Sequence, residues 1–206
     1  MKVLRFVLGD LMVNSYIVKG DKESFTIDPA SDDKDFIKNI PANLKYIFNT
    51  HGHYDHIAGN SIVKSKTGAK LVIHKEDAKM LTDPSLNLST FIANDFISPE
   101  ADILLDEEEG KFVIDGEEWK YLHTPGHTNG LTILFNEDRK IMFSGDLIFE
   151  DSIGRVDLPG GDGRKMKYSL EKIGKFSSDF LVYPGHGEPF YLKDFKNWVN
   201  YFLKEL

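Results

Sequence analysis

Thr50-His51-Gly52-His53-Tyr54-Asp55-His56 places four residues able to bind a metal within six consecutive positions. His51 and His53 are two apart, so in an extended or tightly turned backbone both imidazoles can point the same way and share one ion. Asp55 and His56 follow too closely to join the same tetrahedral shell without strain. They suit a second ion a few ångström away, and the spacing predicts two adjacent metals.

Two such shells need more ligands. The downstream chain offers Thr124-Pro125-Gly126-His127, Ser144-Gly145-Asp146 and Tyr183-Pro184-Gly185-His186. A short apolar run precedes each cluster: Tyr46 to Phe48, Trp119 to Leu122, Ile141 to Phe143, and Phe180 to Val182. These runs read as strands, which sets the ligands in loops just beyond strand ends. A rim of loops on a rigid sheet is a common place for a site. His74 and His123 are lone histidines and read as surface or hydrogen-bonded core residues. Imidazole and carboxylate without thiolate suit zinc, iron or manganese.

At these residues the chain resembles the metallo-beta-lactamase superfamily and, within it, the compact glyoxalase II-like hydrolases. The superfamily's Thr-His-x-His-x-Asp-His signature stands intact at 50 to 56. Asn14-Ser15-Tyr16, Ile27-Asp28-Pro29, His123 to Thr128, Pro184 to Gly187 and the Ser152 to Asp162 loop match further stretches, in the family's order. The resemblance implies a first metal site of His51, His53 and His127. It implies a second of Asp55, His56 and His186, with Asp146 bridging the two. Asp28 would orient a ligand or, equally, cap a turn before Pro29. Ala30 and Glu188 depart from the family, which has glycine and threonine there; both departures concern substrate detail, since neither is a ligand.

The implied fold is α/β, a four-layer αβ/βα sandwich with the metals at one edge between two sheets. Strand candidates fill residues 2 to 28, then Ser31, Asp32 and Asp33 open a helix through Ile40. A helix from Ile57 to Lys66 should stop at Gly68. Leu71 to Ile73 reads as a strand, Lys75 to Leu81 as a helix, and residues 102 to 144 as several strands with turns at Gly110, Asp115-Gly116 and Asn136 to Asp138. Phe195, Trp198, Val199, Phe202, Leu203 and Leu206 form one apolar stripe of a final helix that should pack on a sheet.

The 206 residues read as a single metallo-hydrolase domain, with an ordinary 41% hydrophobic content. Thr82 to Glu100, with Pro84 and Pro99, reads as a long excursion that either covers the site or forms a short irregular surface helix. A net charge of -8 without a basic run argues against nucleic acid as a partner. The chain has no cysteine, no stretch near the roughly 18 apolar residues of a membrane span, and an N-terminus that reads as a strand. The expected compartment is the cytoplasm, without membrane association; oligomeric state is not encoded legibly.

The family's larger members carry a C-terminal helical domain that builds much of the glutathione pocket, whereas 20 residues follow His186 here. The expectation is therefore the compact branch. The expected cofactors are two divalent ions, zinc first, with iron or manganese as alternatives. The expected reaction is hydrolysis of a small anionic thioester such as S-lactoylglutathione by a metal-bound hydroxide. Asp55 would serve as catalytic proton acceptor, and Arg155 would bind a substrate carboxylate or else pair with Asp157. The alternative is a persulfide dioxygenase-like oxidoreductase with a single iron on His51, His127 and Asp146.

Overall fold

The computed structural model describes residues 1–92 and 95–206. Among these, twelve strands form two six-stranded sheets. The first runs β1 (Lys2–Leu8), β2 (Val13–Lys19), β3 (Ser24–Ile27), β4 (Leu44–Phe48), β5 (Lys70–His74) and β6 (Ile103–Leu105), in that spatial order. The second runs, from its far edge, β12 (Phe190–Tyr191), β11 (Leu181–Pro184), β10 (Ile141–Gly145), β9 (Thr132–Asn136), β8 (Glu117–His123) and β7 (Glu109–Ile114). β3 to β6 pair in parallel, as do β10 and β11, and the remaining pairs are antiparallel.

Both faces of each sheet are covered, and successive residues divide between them. In β2, Tyr16 and Val18 enter the core between the sheets while Ile17 faces the outer helices. Leu71 and Ile73 against Val72 in β5, and Ile133 and Phe135 against Leu134 in β9, do the same. This is why the apolar runs are continuous instead of alternating. Trp119, Phe25 and Phe143 meet at the centre of the inter-sheet core, with Trp119 and Phe25 edge to face at 4.8 Å.

On the outer face of the first sheet lie α1 (Lys34–Asn39), the single turn α2 (Tyr54–Ile57) and α3 (Asn60–Thr67), which bury Phe36, Ile57 and Val63. Asp33 caps α1 by accepting from the backbone of Asp35 and Phe36. The single turn α4 (Ser89–Ile92) belongs to the excursion between β5 and β6. On the second sheet lie α5 (Gly163–Ile173) and α6 (Leu192–Glu205), through Met166, Leu170, Ile173, Leu192 and Phe195. The layers are thus helix, sheet, sheet, helix, the αβ/βα sandwich implied by the sequence.

Four readings change and one helix is new. The expected helix from Ile57 to Lys66 is two pieces, because the chain bends at Ala58-Gly59, where a Cβ on Gly59 would lie 2.5 Å from the Ser31 carbonyl. Gly110 is inside β7 and not in a turn; it lies flat against the Tyr121 ring. Lys75–Leu81 is a 3₁₀ helix, and α5 has no counterpart among the sequence expectations. Along α6, Val199, Phe202, Leu203 and Leu206 pack on the second sheet as expected, but Trp198 points outward, 46% exposed.

In the excursion from Thr82 to Glu100, the Asn87 carbonyl accepts from the Tyr54 N–H at the start of α2 (2.9 Å). Residues 93 and 94 lie outside the described residues. Among the described residues no helix is long and apolar enough to cross a membrane.

Candidate metal centre

The sequence places its clusters beyond the ends of β4, β8, β10 and β11, and the fold gathers these ends at one edge of the sandwich. His51 and His53 lie in the loop after β4, and Asp55 and His56 on the turn of α2. His127 follows β8, Asp146 follows β10, and His186 follows β11. All seven side chains converge.

They fall into two groups. Ligand atoms of His51, His53 and His127 lie within 4.8 Å of one another, and so do those of Asp55, His56 and His186. Asp146 stands between the groups. Its Oδ2 is 3.6 Å from His127 Nε2 and 3.5 Å from His186 Nε2, and its Oδ1 is 3.5 Å from His56 Nε2. Gly185 makes this approach possible, since a Cβ there would stand 2.1 Å from Asp146 Oδ1. Gly126, at φ 149°, turns the chain sharply into His127.

Hydrogen bonds fix which nitrogen two of the rings present. His127 Nδ1 donates to the Arg155 carbonyl (2.8 Å), so a neutral ring turns its Nε2 lone pair inward, 3.0 Å from His53 Nδ1. His56 Nδ1 donates to Asp28 Oδ2 (3.0 Å), which leaves Nε2 facing Asp55 and Asp146. Asp28 also accepts from the Thr50 hydroxyl and backbone N–H (2.6 and 2.7 Å). Asp28, His51 and His56 are close enough to form a third group, but three donors already occupy the Asp28 carboxylate. It orients His56.

The interior supports a metal. Among the described residues six buried side-chain N or O atoms have no hydrogen-bond partner, and four of them, His51 Nε2, His53 Nε2, His56 Nε2 and Asp146 Oδ1, belong to this centre, the others being His74 Nε2 and Trp119 Nε1; a buried polar atom is costly unless something meets it. Electrostatics differ between the groups. Burial and the neighbouring histidines push His51 well down and His53 to about 3. Burial also opposes charge on His56, but Asp146, Asp55 and Asp28 outweigh it and raise the ring to about 10. His186 is likewise raised, by Asp146 and Asp55 against burial. For Asp146, burial is overcome by His56, His186 and His127, which hold it far below the usual carboxylate range.

The His186 loop is tied to the first sheet. Asn14 donates its amide to the carbonyls of Gly187 and Pro184 (2.7 and 3.0 Å), and the Tyr16 hydroxyl donates to Pro184 (2.6 Å). Arg5 bridges Asn14, the Gly187 carbonyl and Glu188. Glu188, one of the two departures, thus closes a clamp, and Ala30, the other, is buried with its N–H on the Ser15 hydroxyl.

The open side carries Asp55 and His186, with 15% and 30% of their side chains exposed. Beside Asp55 a cavity of about 160 Å³ is bounded by Leu8, Leu11, Val13, Ala30, Tyr54 and Asp10. The Arg155 side chain is paired with Asp157 and makes no hydrogen bond to the seven. Its guanidinium forms a two-point pair with Asp157 (2.7 Å each), and both side chains are more than 60% exposed. What Arg155 gives the centre directly is its backbone carbonyl, on His127. His74 and His123 stack on each other at 3.8 Å, apart from the seven.

The metallo-beta-lactamase superfamily model matches residues 8–186, which covers all seven convergent side chains. The chain belongs to that superfamily. It is 30% identical to "Hydroxyacylglutathione hydrolase GloC" of Haemophilus influenzae, over 84% of each chain. Its structure is similar to that of BLEG-1 B3 metallo-beta-lactamase, with a TM-score of 0.90 and 28% identity over 98% of this chain and 99% of the other. It is also similar to TTHA1623 in a di-iron-bound form, with a TM-score of 0.78 and 26% identity over 94% and 96%. Membership and the His/Asp cluster together make the chain a metal-dependent hydrolase that takes divalent ions.

Proposed function

We propose that this chain hydrolyses a small anionic thioester, with S-lactoylglutathione the leading candidate, using two adjacent divalent ions. His51, His53 and His127 would hold one ion, Asp55, His56 and His186 the other, and Asp146 both. The observation that carries the two-ion reading is the position of Asp146, one oxygen toward His127 and His186 and the other toward His56. Zinc is the first choice for a set of imidazoles and carboxylates, with iron or manganese as alternatives. The thioester reading is supported by the similarity to the Haemophilus hydrolase.

Ions at such a centre lower the pKa of bound water and polarise a carbonyl. The chain's own residues set the rest. The partly exposed Asp55 faces the open side, where it can orient the attacking water and accept its proton. Water adds to the thioester carbonyl, the C–S bond breaks, and the products are a carboxylate and a thiol. The cationic partner proposed for a substrate carboxylate is Arg155, exchanging Asp157 for the ligand in the same two-point geometry. The net charge of -8 favours a small molecule over nucleic acid. A chain without cysteine fits the cytoplasm.

The test is thioester hydrolysis by zinc-loaded protein with oxygen excluded. Turnover without oxygen supports the reading. Turnover only with oxygen, on a persulfide and with one iron, would place the chain with the dioxygenases instead.

A further inference from the structure

Asp77 lies in the 3₁₀ helix after β5, is 1% exposed, and is not one of the seven convergent side chains. Its Oδ1 accepts from the Gly130 N–H (2.7 Å), and its Oδ2 from the Thr128 hydroxyl (2.6 Å) and the Gly52 N–H (3.2 Å). Gly52 is the residue between His51 and His53. Thr128 is the residue after His127. One carboxylate therefore joins the two loops that supply the three-histidine group, and these loops leave different sheets.

The approach is close. A Cβ on Gly130 would stand 2.7 Å from Asp77 Cγ. A carboxylate so fully buried is expensive unless its oxygens are filled, and here three donors fill them. On the other side of the centre Asp28 has an analogous place, bonded to Thr50 and His56.

We infer that Asp77 is a positioning residue that sets His51 and His53 against His127 and so governs metal affinity at that group alone. This role rests on the three-histidine assignment and not on the identity of the substrate. Hydrogen-bonding partners outside the ligand set typically govern affinity by about 10- to 100-fold.

The experiment measures zinc affinity by competition with a chromophoric chelator in two backgrounds. His186→Ala leaves the three-histidine group intact, and His127→Ala leaves the Asp55, His56 and His186 group intact. Adding Asp77→Asn should loosen zinc about 10- to 100-fold in the first background and less than about twofold in the second. Thr128→Val removes one of the three donors and should give a smaller loss, about three- to tenfold, again in the first background only. Equal losses in both backgrounds would show a general structural role, and no loss in the first would show no role; either overturns the inference. A wild-type stoichiometry of one ion would count against the two-ion reading, while Asp77 is still decided in the His186→Ala arm.

Discussion

Oδ2 of Asp28 lies 3.0 Å from Nδ1 of His56, with both side chains buried and Asp28 itself in the left-handed region at φ 46°. A residue other than glycine persists there only when its surroundings hold it, and here Thr50 grips the carboxylate from two donors. Asp28→Asn should therefore weaken metal binding about 10- to 100-fold on the His56 side. Zinc competition in the His127→Ala background measures it, and an unchanged affinity would mean that His56 needs no orienting.

Metal binding should displace a proton from His56 and none from His53. In the metal-free protein His56, raised to about 10, carries a proton at neutral pH, whereas His53, at about 3, does not. Zinc must displace the former and not the latter. Calorimetry of the apoprotein in buffers of differing ionisation enthalpy should show net proton release that survives His127→Ala. Release abolished by that substitution would reverse the assignment.

Asp77 should leave a signature in stability against pH. Burial pushes its carboxyl up to about 6, against the pull of the Thr128, Gly130 and Gly52 bonds. A folded-state value above the unfolded one means that the stabilising contribution is full below about pH 4 and fades as pH rises through about 6. The stability gap between wild type and Asp77→Asn, measured by urea unfolding of metal-free protein, should narrow from about pH 4 to about pH 7. A gap that widens would refute this.

Arg155→Ala should leave the melting temperature unchanged, because both partners of its ion pair are largely exposed. KM should rise about tenfold or more for a thioester bearing a carboxylate and hardly at all for a neutral one, with Arg155→Lys intermediate. Equal effects on both substrates would remove Arg155 from the substrate and leave it only its backbone bond to His127.

How far the sequence is legible depends on whether a residue's signal is local. His51 to His56 announce themselves by spacing, and His127, Asp146 and His186 by repeated Gly-ligand pairs after apolar runs. The break between α2 and α3 depends on Gly59 meeting the carbonyls of Pro29 and Ser31, and the strand position of Gly110 depends on Tyr121. Neither neighbour is near in sequence. Asp77 is less legible still: beside Lys75 and Glu76 it reads as one more surface charge, and only the docking of two sheets buries it. The helix α5 does carry a local signal, Asp162 as N-cap before Met166, Leu170 and Ile173 at helical spacing. Trp198 shows the converse, a helical stripe wider than the face the second sheet covers.

Whether the seven side chains form one two-ion centre is tested most directly by elemental analysis of natively purified protein and its variants. Wild type should hold two ions per chain and His186→Ala one, and Asp146→Ala should show a marked loss from both positions. Saturation at one ion, with His56 and His186 dispensable for it, would contradict the two-ion centre.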